Sequence, residues 1–314
     1  MGSWRKMIAA AAMLLLSSAA HAEPRPPVAQ PIIDMHRHAA WPGDSDAEDL
    51  GRIRKALREH GVVASMLFVT GREDVAAYRS DSQSRLMLSP MFPCPALTAD
   101  RKWCFTETEG LMPDASWLED QLASRKLTGL GELVFSYAGV PPGDPAMGRF
   151  WALAAKYDAP VFVHTGRGPS AGQGPRRYQG CCADYQEAYG NPALLRPVLE
   201  RQPKLRLVLQ HVGFDYMDET IALMRDFPNV YADMSVLNSI GPRDLHDASL
   251  RRLAEAGLAD RIVLGSDDQD YAPIIERIEG AGFLTAEQRR GIYYDNAARF
   301  LRLERETIAA DYGR

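Results

Sequence analysis

The segment from Pro31 to His38 reads PIIDMHRH, a short apolar run that ends in ionisable residues. Seven later runs rich in Val, Ile or Leu follow it, at residues 62–70, 86–94, 127–137, 160–165, 205–213, 229–235 and 261–267. Apolar residues fill these runs without strict alternation, which is typical of strands that are covered on both faces. The segment therefore opens a series of eight predicted strands in a parallel sheet wrapped by helices.

Segments with helical periodicity separate the predicted strands. Leu50, Ile53 and Leu57 are one example, at the i, i+3 and i+7 positions of a buried helix face. Eight strand and helix units in about 270 residues fit an α/β fold of the (β/α)8 TIM-barrel type better than an open doubly wound sheet. We expect one barrel domain over residues 32–303, followed by a C-terminal tail over residues 304–314.

The N-terminus has the features of a secretory signal peptide. Arg5 and Lys6 precede an apolar run that ends at Leu16, and Ala20 and Ala22 form a small-residue cleavage step. The alternative, an uncleaved anchor helix, is less favoured because the run is shorter than the roughly 20 residues of a membrane span. We expect removal of residues 1–22, a Pro-rich spacer over residues 23–31, and export to the periplasm without stable membrane insertion.

The composition limits the partners. The chain has 314 residues, with 36 Lys+Arg against 41 Asp+Glu and a net charge of -5, so it does not have the basic surface that nucleic-acid binding needs.

Export permits disulfides among the four cysteines. Pairing of Cys94 with Cys104 is the simplest arrangement. A bridge from this pair to Cys181 or Cys182 is also allowed, as are free thiols at those two positions.

Ionisable residues of the metal-ligating kind stand at the carboxyl ends of the predicted strands, where barrel enzymes place their chemistry. They come from five strands: His36, His38, Glu132, His164, His211 and Asp267. Strict alternation along the first strand would also turn Asp34 to the same side as His36 and His38. We assign no role to His60, which closes a helix, or to His246, which we place in a polar loop.

Imidazole and carboxylate ligands suit zinc, manganese or iron, and a cluster with an open position indicates a catalytic site. Each residue also has a structural alternative. Glu132 could pair with Arg37 or Arg167, and Asp267 could cap the following helix. The joint pattern favours a metal centre.

The order of these motifs resembles the amidohydrolase superfamily, in its amidohydrolase-related (type 2) branch. The resemblance covers residues 31–303 and rests on six motifs: IDMHRH (33–38), VFVHTG (161–166), LVLQHVG (207–213), PNVYADMS (228–235), RIVLGSD (261–267) and NAARFL (296–301). It implies a barrel enzyme with one or two divalent ions per chain, zinc first and manganese or iron as the alternatives.

The resemblance also implies roles for individual residues. His36, His38 and Asp267 would bind one metal. His164 and His211 would bind a second one, or His164 would join the first while His211 holds substrate or water. The bridging ligand is a modified lysine or a glutamate in such enzymes. No lysine follows Leu127 in this strand, so Glu132 is the candidate.

The preferred interpretation is a metal-dependent hydrolase that cleaves an ester, lactone or amide-type bond in a small molecule. Asp267 would accept the proton of the attacking water. A metal-dependent decarboxylase or lyase is the main alternative, since this branch is similar to enzymes that decarboxylate aromatic acids. A binding protein without activity is a third reading, and a homo-oligomer stays open.

Arg167 follows His164 closely and is the candidate for binding a substrate carboxylate through its two-pronged donor geometry. The alternative is a surface ion pair. The irregular segment from Gly166 to Gly190 is predicted to be a specificity loop over the site.

Overall fold

A computed structural model describes residues 30–39, 45–81, 85–95, 104–105, 112–168 and 181–313. The expected signal peptide, residues 23–29 of the spacer and residues 169–180 of the predicted specificity loop lie outside these ranges.

Eight parallel strands form within the described ranges, one in each predicted run. They are β1 (Ile32–His38), β2 (Val62–Val69), β3 (Leu86–Pro90), β4 (Leu130–Leu133), β5 (Val161–His164), β6 (Leu207–Gln210), β7 (Val230–Asp233) and β8 (Ile262–Val263). Strands β1 to β3 pair in sequence order, and so do β4 to β8.

Backbone hydrogen bonds join these two groups of strands at both seams. The Phe92 amide donates to the Glu132 carbonyl over 3.0 Å, which links the segment after β3 to β4. The Met35 amide donates to the Leu264 carbonyl over 2.8 Å, which links β1 to the end of β8. The sheet therefore closes on itself, and the predicted (β/α)8 barrel is confirmed.

Helices connect and surround the strands. They are α1 (Asp46–Glu59), α2 (Arg72–Arg79), α3 (Ala115–Ala123), α4 (Phe135–Ala138), α5 (Gly148–Lys156), α6 (Arg196–Arg201), α7 (Met217–Asp226), α8 (Arg243–Glu255), α9 (Tyr271–Gly280), α10 (Ala286–Arg290), α11 (Asn296–Leu301) and α12 (Arg305–Tyr312). Asp114 and Asp270 cap the starts of α3 and α9 with side-chain oxygens. Among the described residues, no helix combines the length and apolar character needed to cross a bilayer.

The core consists of two layers, which explains the continuous apolar runs. Alternate strand residues such as Val161 and Val163 pack outward against the helices. The residues between them, such as Phe162 in β5 and Val208 in β6, fill the barrel interior. Both faces of each strand are therefore buried.

Strand β1 breaks the alternation that the sequence suggests. Ile33 and Met35 both belong to the inner layer, and the pairing of β1 with β2 shifts register between Asp34 and Arg37. The Asp34 carboxylate consequently lies on the outer side, where it accepts hydrogen bonds from the hydroxyls of Tyr271 (2.5 Å) and Ser266 (2.6 Å). The expectation that Asp34 faces the same side as His36 and His38 is wrong, because one irregularity inverts the pattern.

Gly131 allows β4 to pass close to β5. Its φ is +114°, and a Cβ atom there would overlap the carbonyl oxygen of Phe162. The glycine thus fixes the position of the neighbouring Glu132.

Two segments differ from the sequence-based picture at the periphery. His246 lies inside α8, buried and hydrogen-bonded to Asp247 (2.8 Å), so its placement in a loop is wrong. The helix was mistaken for a loop because its outer face is rich in polar residues, as loops are. The segment named as a tail contains α12, whose buried Asp311 contacts the barrel.

The cysteines form two pairs among the described residues. Cys94 is bonded to Cys104, the arrangement that the spacing made simplest. The neighbours Cys181 and Cys182 are bonded to each other, so the free thiols considered for them are not found.

Candidate metal centre

Six side chains from five strands meet at the carboxyl end of the barrel. They are the residues that the sequence singled out: His36, His38, Glu132, His164, His211 and Asp267. The exposed fraction of the side chain is at most 8% for the first five and 18% for Asp267. The cluster is therefore buried, and Asp267 is its most solvent-accessible member.

Glu132 lies at the centre of the histidines. Its carboxylate is 2.8 Å from His164 Nδ1 and 3.3 Å from His38 Nε2. It is 3.7 Å from His36 Nε2 and 3.8 Å from His211 Nε2. Its close ionic neighbours in the described part of the chain are thus imidazoles. The alternative of a structural pair with an arginine is not found, since Arg37 lies 3.7 Å from Asp268 and Arg167 pairs with Asp215.

Asp267 closes the open side of the cluster. Its Oδ1 atom is 3.1 Å from His38 Nε2 and 3.5 Å from His36 Nε2. The residue has a left-handed backbone conformation, with φ at 49°, and its amide donates to the His36 carbonyl over 2.8 Å. The turn after β8 therefore directs this carboxylate back towards the end of β1.

Opposing effects set the charge states. Burial by itself raises the pKa of Glu132, but the hydrogen bond from His164 and the neighbouring imidazoles of His211 and His36 hold that pKa well below its ordinary value. The same competition lowers the pKa of Asp267, through the charges of His36 and His38. Burial lowers the pKa of His164 despite its bond to Glu132. The site therefore combines ionised carboxylates with at least one neutral imidazole.

The donor set fits a divalent transition metal. His36 Nε2 and His164 Nε2 are buried and have no hydrogen-bond partner among the described residues, which is costly unless a ligand binds there. The ligand atoms of His36, Glu132 and His211 lie within 4.8 Å of one another, and so do those of His36, His38 and Asp267. These two overlapping triplets, which share His36, have the size and chemistry of a site for one or two ions.

Aromatic side chains line the same end of the barrel. The Phe214 ring stacks on His211 with centroids 5.6 Å apart, and the Tyr137 ring meets His164 edge-on at 5.0 Å. Gly166, with φ at +83°, allows Phe214 its position, because a Cβ atom would come within 2.6 Å of that ring. Two aromatic rings therefore pack directly against the histidines of the cluster.

Arg167 does not join the cluster. It forms an ion pair with Asp215, 3.0 Å between Nε and Oδ2, and the two side chains are 62% and 56% exposed. This geometry is that of the surface ion pair considered as the alternative. Its place three residues after the end of β5 still puts it near the rim.

Sequence reasoning missed two residues behind the histidines. Asp233 and Ser235, at and just after the end of β7, are completely buried and hydrogen-bond to His36 and His211. In the sequence these two residues stood out only as part of the motif PNVYADMS. The rule that selected the other site residues, a polar side chain at the carboxyl end of a predicted strand, also applies to them.

A closed barrel of eight parallel strands with a buried histidine and carboxylate cluster at its carboxyl end defines a class of barrel enzymes. The chain belongs to the amidohydrolase family, whose model matches residues 113–303. It is accordingly an enzyme of the amidohydrolase superfamily, and membership supports a metal-dependent activity. The comparison with curated proteins finds no match.

Solved structures share the fold. A protein assigned as a 2-pyrone-4,6-dicarboxylic acid hydrolase from Acinetobacter baumannii has a TM-score of 0.58 at 15% identity, covering 87% of this chain and 99% of its own. The 5-carboxyvanillate decarboxylase of Sphingomonas paucimobilis has a TM-score of 0.57 at 15% identity, with the same coverage. A zinc-bound amidohydrolase from Burkholderia multivorans has a TM-score of 0.55 at 16% identity, covering 87% and 100%. At 15–16% sequence identity, the similarity establishes that these proteins share the barrel architecture with this chain.

Proposed function

We propose that this protein is an exported hydrolase that uses a bound divalent metal, zinc in the first place, to cleave an ester, lactone or amide-type bond in a small molecule. The observation that carries the proposal is the pair of buried, unpartnered nitrogens on His36 and His164 beside the ionised, partly accessible Asp267. Manganese and iron are the alternative ions. The number of ions, one or two, depends on Glu132.

The chain's own residues would divide the work. A bound divalent ion supplies polarisation of the substrate carbonyl and a lowered pKa for a water molecule. Asp267 would take a proton from the attacking water and return it to the leaving group, because it is an ionised carboxylate at the accessible edge of the cluster. His38 would hold Asp267 in place. Phe214 and Tyr137 would exclude bulk water from the reacting bond.

A panel of lactones, aryl esters, acylated amino acids and phosphoesters tests the proposal, with zinc-loaded, manganese-loaded and chelated protein side by side. We expect turnover of at least one carboxylic ester, lactone or amide, with ¹⁸O from labelled water in the product. Chelation should abolish this turnover, and the added ion should restore it. Full activity in protein that elemental analysis shows to be metal-free would rule the proposal out.

Decarboxylation is the second candidate, favoured by the structural likeness to 5-carboxyvanillate decarboxylase and 2,6-dihydroxybenzoate decarboxylase. A cluster that binds and polarises an aromatic acid could serve such a reaction without hydrolysis. Carbon dioxide release from aromatic carboxylic acids, with no ¹⁸O incorporated from water, would select this candidate.

Export rests on the sequence of residues 1–22 and is tested separately. In cells that express the full chain, mass spectrometry of the periplasmic fraction should find a protein that begins at Glu23. An intact Met1 on protein confined to the cytoplasm would contradict export.

A further inference from the structure

The end of β7 contacts two of the histidines from behind. Asp233 Oδ2 is 3.0 Å from His36 Nδ1, and Ser235 Oγ is 3.1 Å from the same nitrogen. Ser235 Oγ is also 2.9 Å from His211 Nδ1. Asp233, the last residue of β7, and Ser235, just after it, are completely buried, so these contacts are shielded from water.

The bond partners determine which nitrogen of His211 carries the proton. The carbonyl oxygen of Ser235 lies 3.3 Å from His211 Nδ1 and can only accept a hydrogen bond. The Ser235 hydroxyl donates its own proton to Asp233 Oδ1 over 2.5 Å, so its oxygen also accepts at Nδ1. In the neutral ring the proton is therefore on Nδ1, and the Nε2 lone pair faces Glu132 at 3.8 Å.

The same reasoning applies to His36. Its Nδ1 faces a carboxylate oxygen of Asp233, which can only accept, so Nδ1 carries a proton. Burial by itself raises the pKa of Asp233, but the contact with His36 outweighs this effect and holds that pKa below its ordinary value, so the carboxylate is ionised. The opposite nitrogen, His36 Nε2, has no hydrogen-bond partner among the described residues and points between Glu132 and Asp267.

The loop that follows β7 is held in place. The Asn238 side chain donates to the Gly265 carbonyl over 2.9 Å, and Arg277 of α9 donates to the Leu237 carbonyl. Asp233 Oδ1 also accepts from the backbone amides of Ser235 (2.9 Å) and His211 (3.1 Å). The carboxylate and hydroxyl therefore have little freedom to turn away from the imidazoles.

We propose that Asp233 and Ser235 are positioning residues that hold His36 and His211 as the Nδ1-protonated forms, so that both Nε2 lone pairs face the Glu132 centre. This inference rests on the proposed metal-dependent function and makes that proposal more specific. An Nε2 lone pair accepts a metal ion or the proton of a water, but it cannot donate to a substrate carbonyl. His211 thereby becomes a ligand or acceptor rather than a donor to substrate.

The first test uses metal-free protein labelled with ¹⁵N at histidine, at a pH where the rings are neutral. Its NMR spectra should show His211 protonated on Nδ1, and in Ser235→Ala the Nδ1-protonated fraction should fall. Protonation of His211 on Nε2 in the unchanged protein, or no change in Ser235→Ala, would overturn the proposal. This readout needs neither metal nor substrate.

The second test is zinc affinity, measured by competition with a coloured chelator. We expect Ser235→Ala and Asp233→Asn each to weaken zinc binding by about 10–100-fold, the usual effect of losing a partner behind a ligand histidine. The matched control is Ser89→Ala, since Ser89 is a buried barrel serine whose hydroxyl has no partner among the described residues. Affinity within twofold of the unchanged protein in both β7 variants, with normal melting curves, would overturn the proposal.

The two tests separate the inference from the function on which it rests. If the unchanged protein shows the Nδ1 forms but binds no zinc, manganese or iron, the metal-dependent function fails while the positioning of the rings is supported. If it binds metal but His211 carries its proton on Nε2, the positioning role fails alone.

Discussion

The two ends of the barrel both bury charged groups, but they pair them differently. At the amino end, Arg85 just before β3 donates twice to Asp311 of α12, over 3.2 and 2.7 Å, and the Tyr294 hydroxyl adds a third bond of 2.6 Å. At the carboxyl end, Glu132 and Asp267 face histidines instead.

This difference separates a structural site from a reactive one. An arginine is always charged and has only donors, so a carboxylate that it binds is satisfied permanently. An imidazole has one nitrogen that can accept, and His36 and His164 each keep a buried Nε2 without a partner among the described residues. Buried charge at the amino end thus stabilises the docked C-terminal helix, whereas at the carboxyl end it leaves room for a ligand.

The largest expected effect is on turnover at the carboxyl end. Asp267→Asn should lower kcat more than about 100-fold, because the amide cannot accept the proton of the attacking water. The melting temperature should change little, since Asp267 is partly exposed. The matched control is Asp226→Asn, an exposed carboxylate that pairs with Arg196 on the outer helices. Near-normal kcat in Asp267→Asn would remove this residue from the mechanism.

Glu132→Gln tests whether the central carboxylate is a ligand. Elemental analysis should show fewer metal ions per chain, and affinity should fall at least about tenfold, because a neutral amide is a weaker ligand for a divalent ion. Loss of one ion from two would identify Glu132 as the bridge. Unchanged metal content together with full activity would instead make Glu132 a scaffold residue.

A change at the amino end should affect stability and spare the metal. Asp311→Ala leaves Arg85 and the Tyr294 hydroxyl without their acceptor, and we expect a loss of about 2 kcal/mol in the free energy of unfolding. Arg85 is 32% exposed, so water replaces part of the interaction. The matched control is Asp295→Ala, a half-buried carboxylate bound to Arg290 and Tyr312 in the same way, with an expected loss below about 1 kcal/mol because its side chain is 35% exposed. Weakened zinc binding in Asp311→Ala would break the contrast between the two ends.

The smallest effect is expected at the rim. If Arg167 leaves Asp215 to bind a substrate carboxylate, Arg167→Ala should raise KM about fivefold for substrates that carry a carboxylate, roughly 1 kcal/mol. KM for uncharged substrates should not change. The control Arg196→Ala removes a comparable exposed arginine from the outer helices. An equal KM for both substrate types would leave Arg167 as a surface ion pair.

The architecture was predictable because burial on both strand faces leaves a continuous apolar run in the sequence. The convergence of the six polar side chains was predictable for a related reason, since parallel strands end at one rim. The positioning contacts of Asp233 and Ser235 were not predictable, because a buried Asp-x-Ser step does not reveal which rings lie against it. The direction of Asp34 and the docking of α12 depend on pairings between residues more than 200 positions apart.

The irregularity in β1 has a consequence for how this strand can change over evolution. Removing one residue there, such as Met35, would restore simple alternation and still leave His36 and His38 turned inward, because the irregularity accommodates one extra residue. Removing Arg37 instead would turn His36 and His38 to opposite faces of the strand. In any alignment of this chain with a distant homologue, a one-residue gap at 34–35 is therefore compatible with the same chemistry, whereas a one-residue gap at 37 is a sign that the cluster is lost.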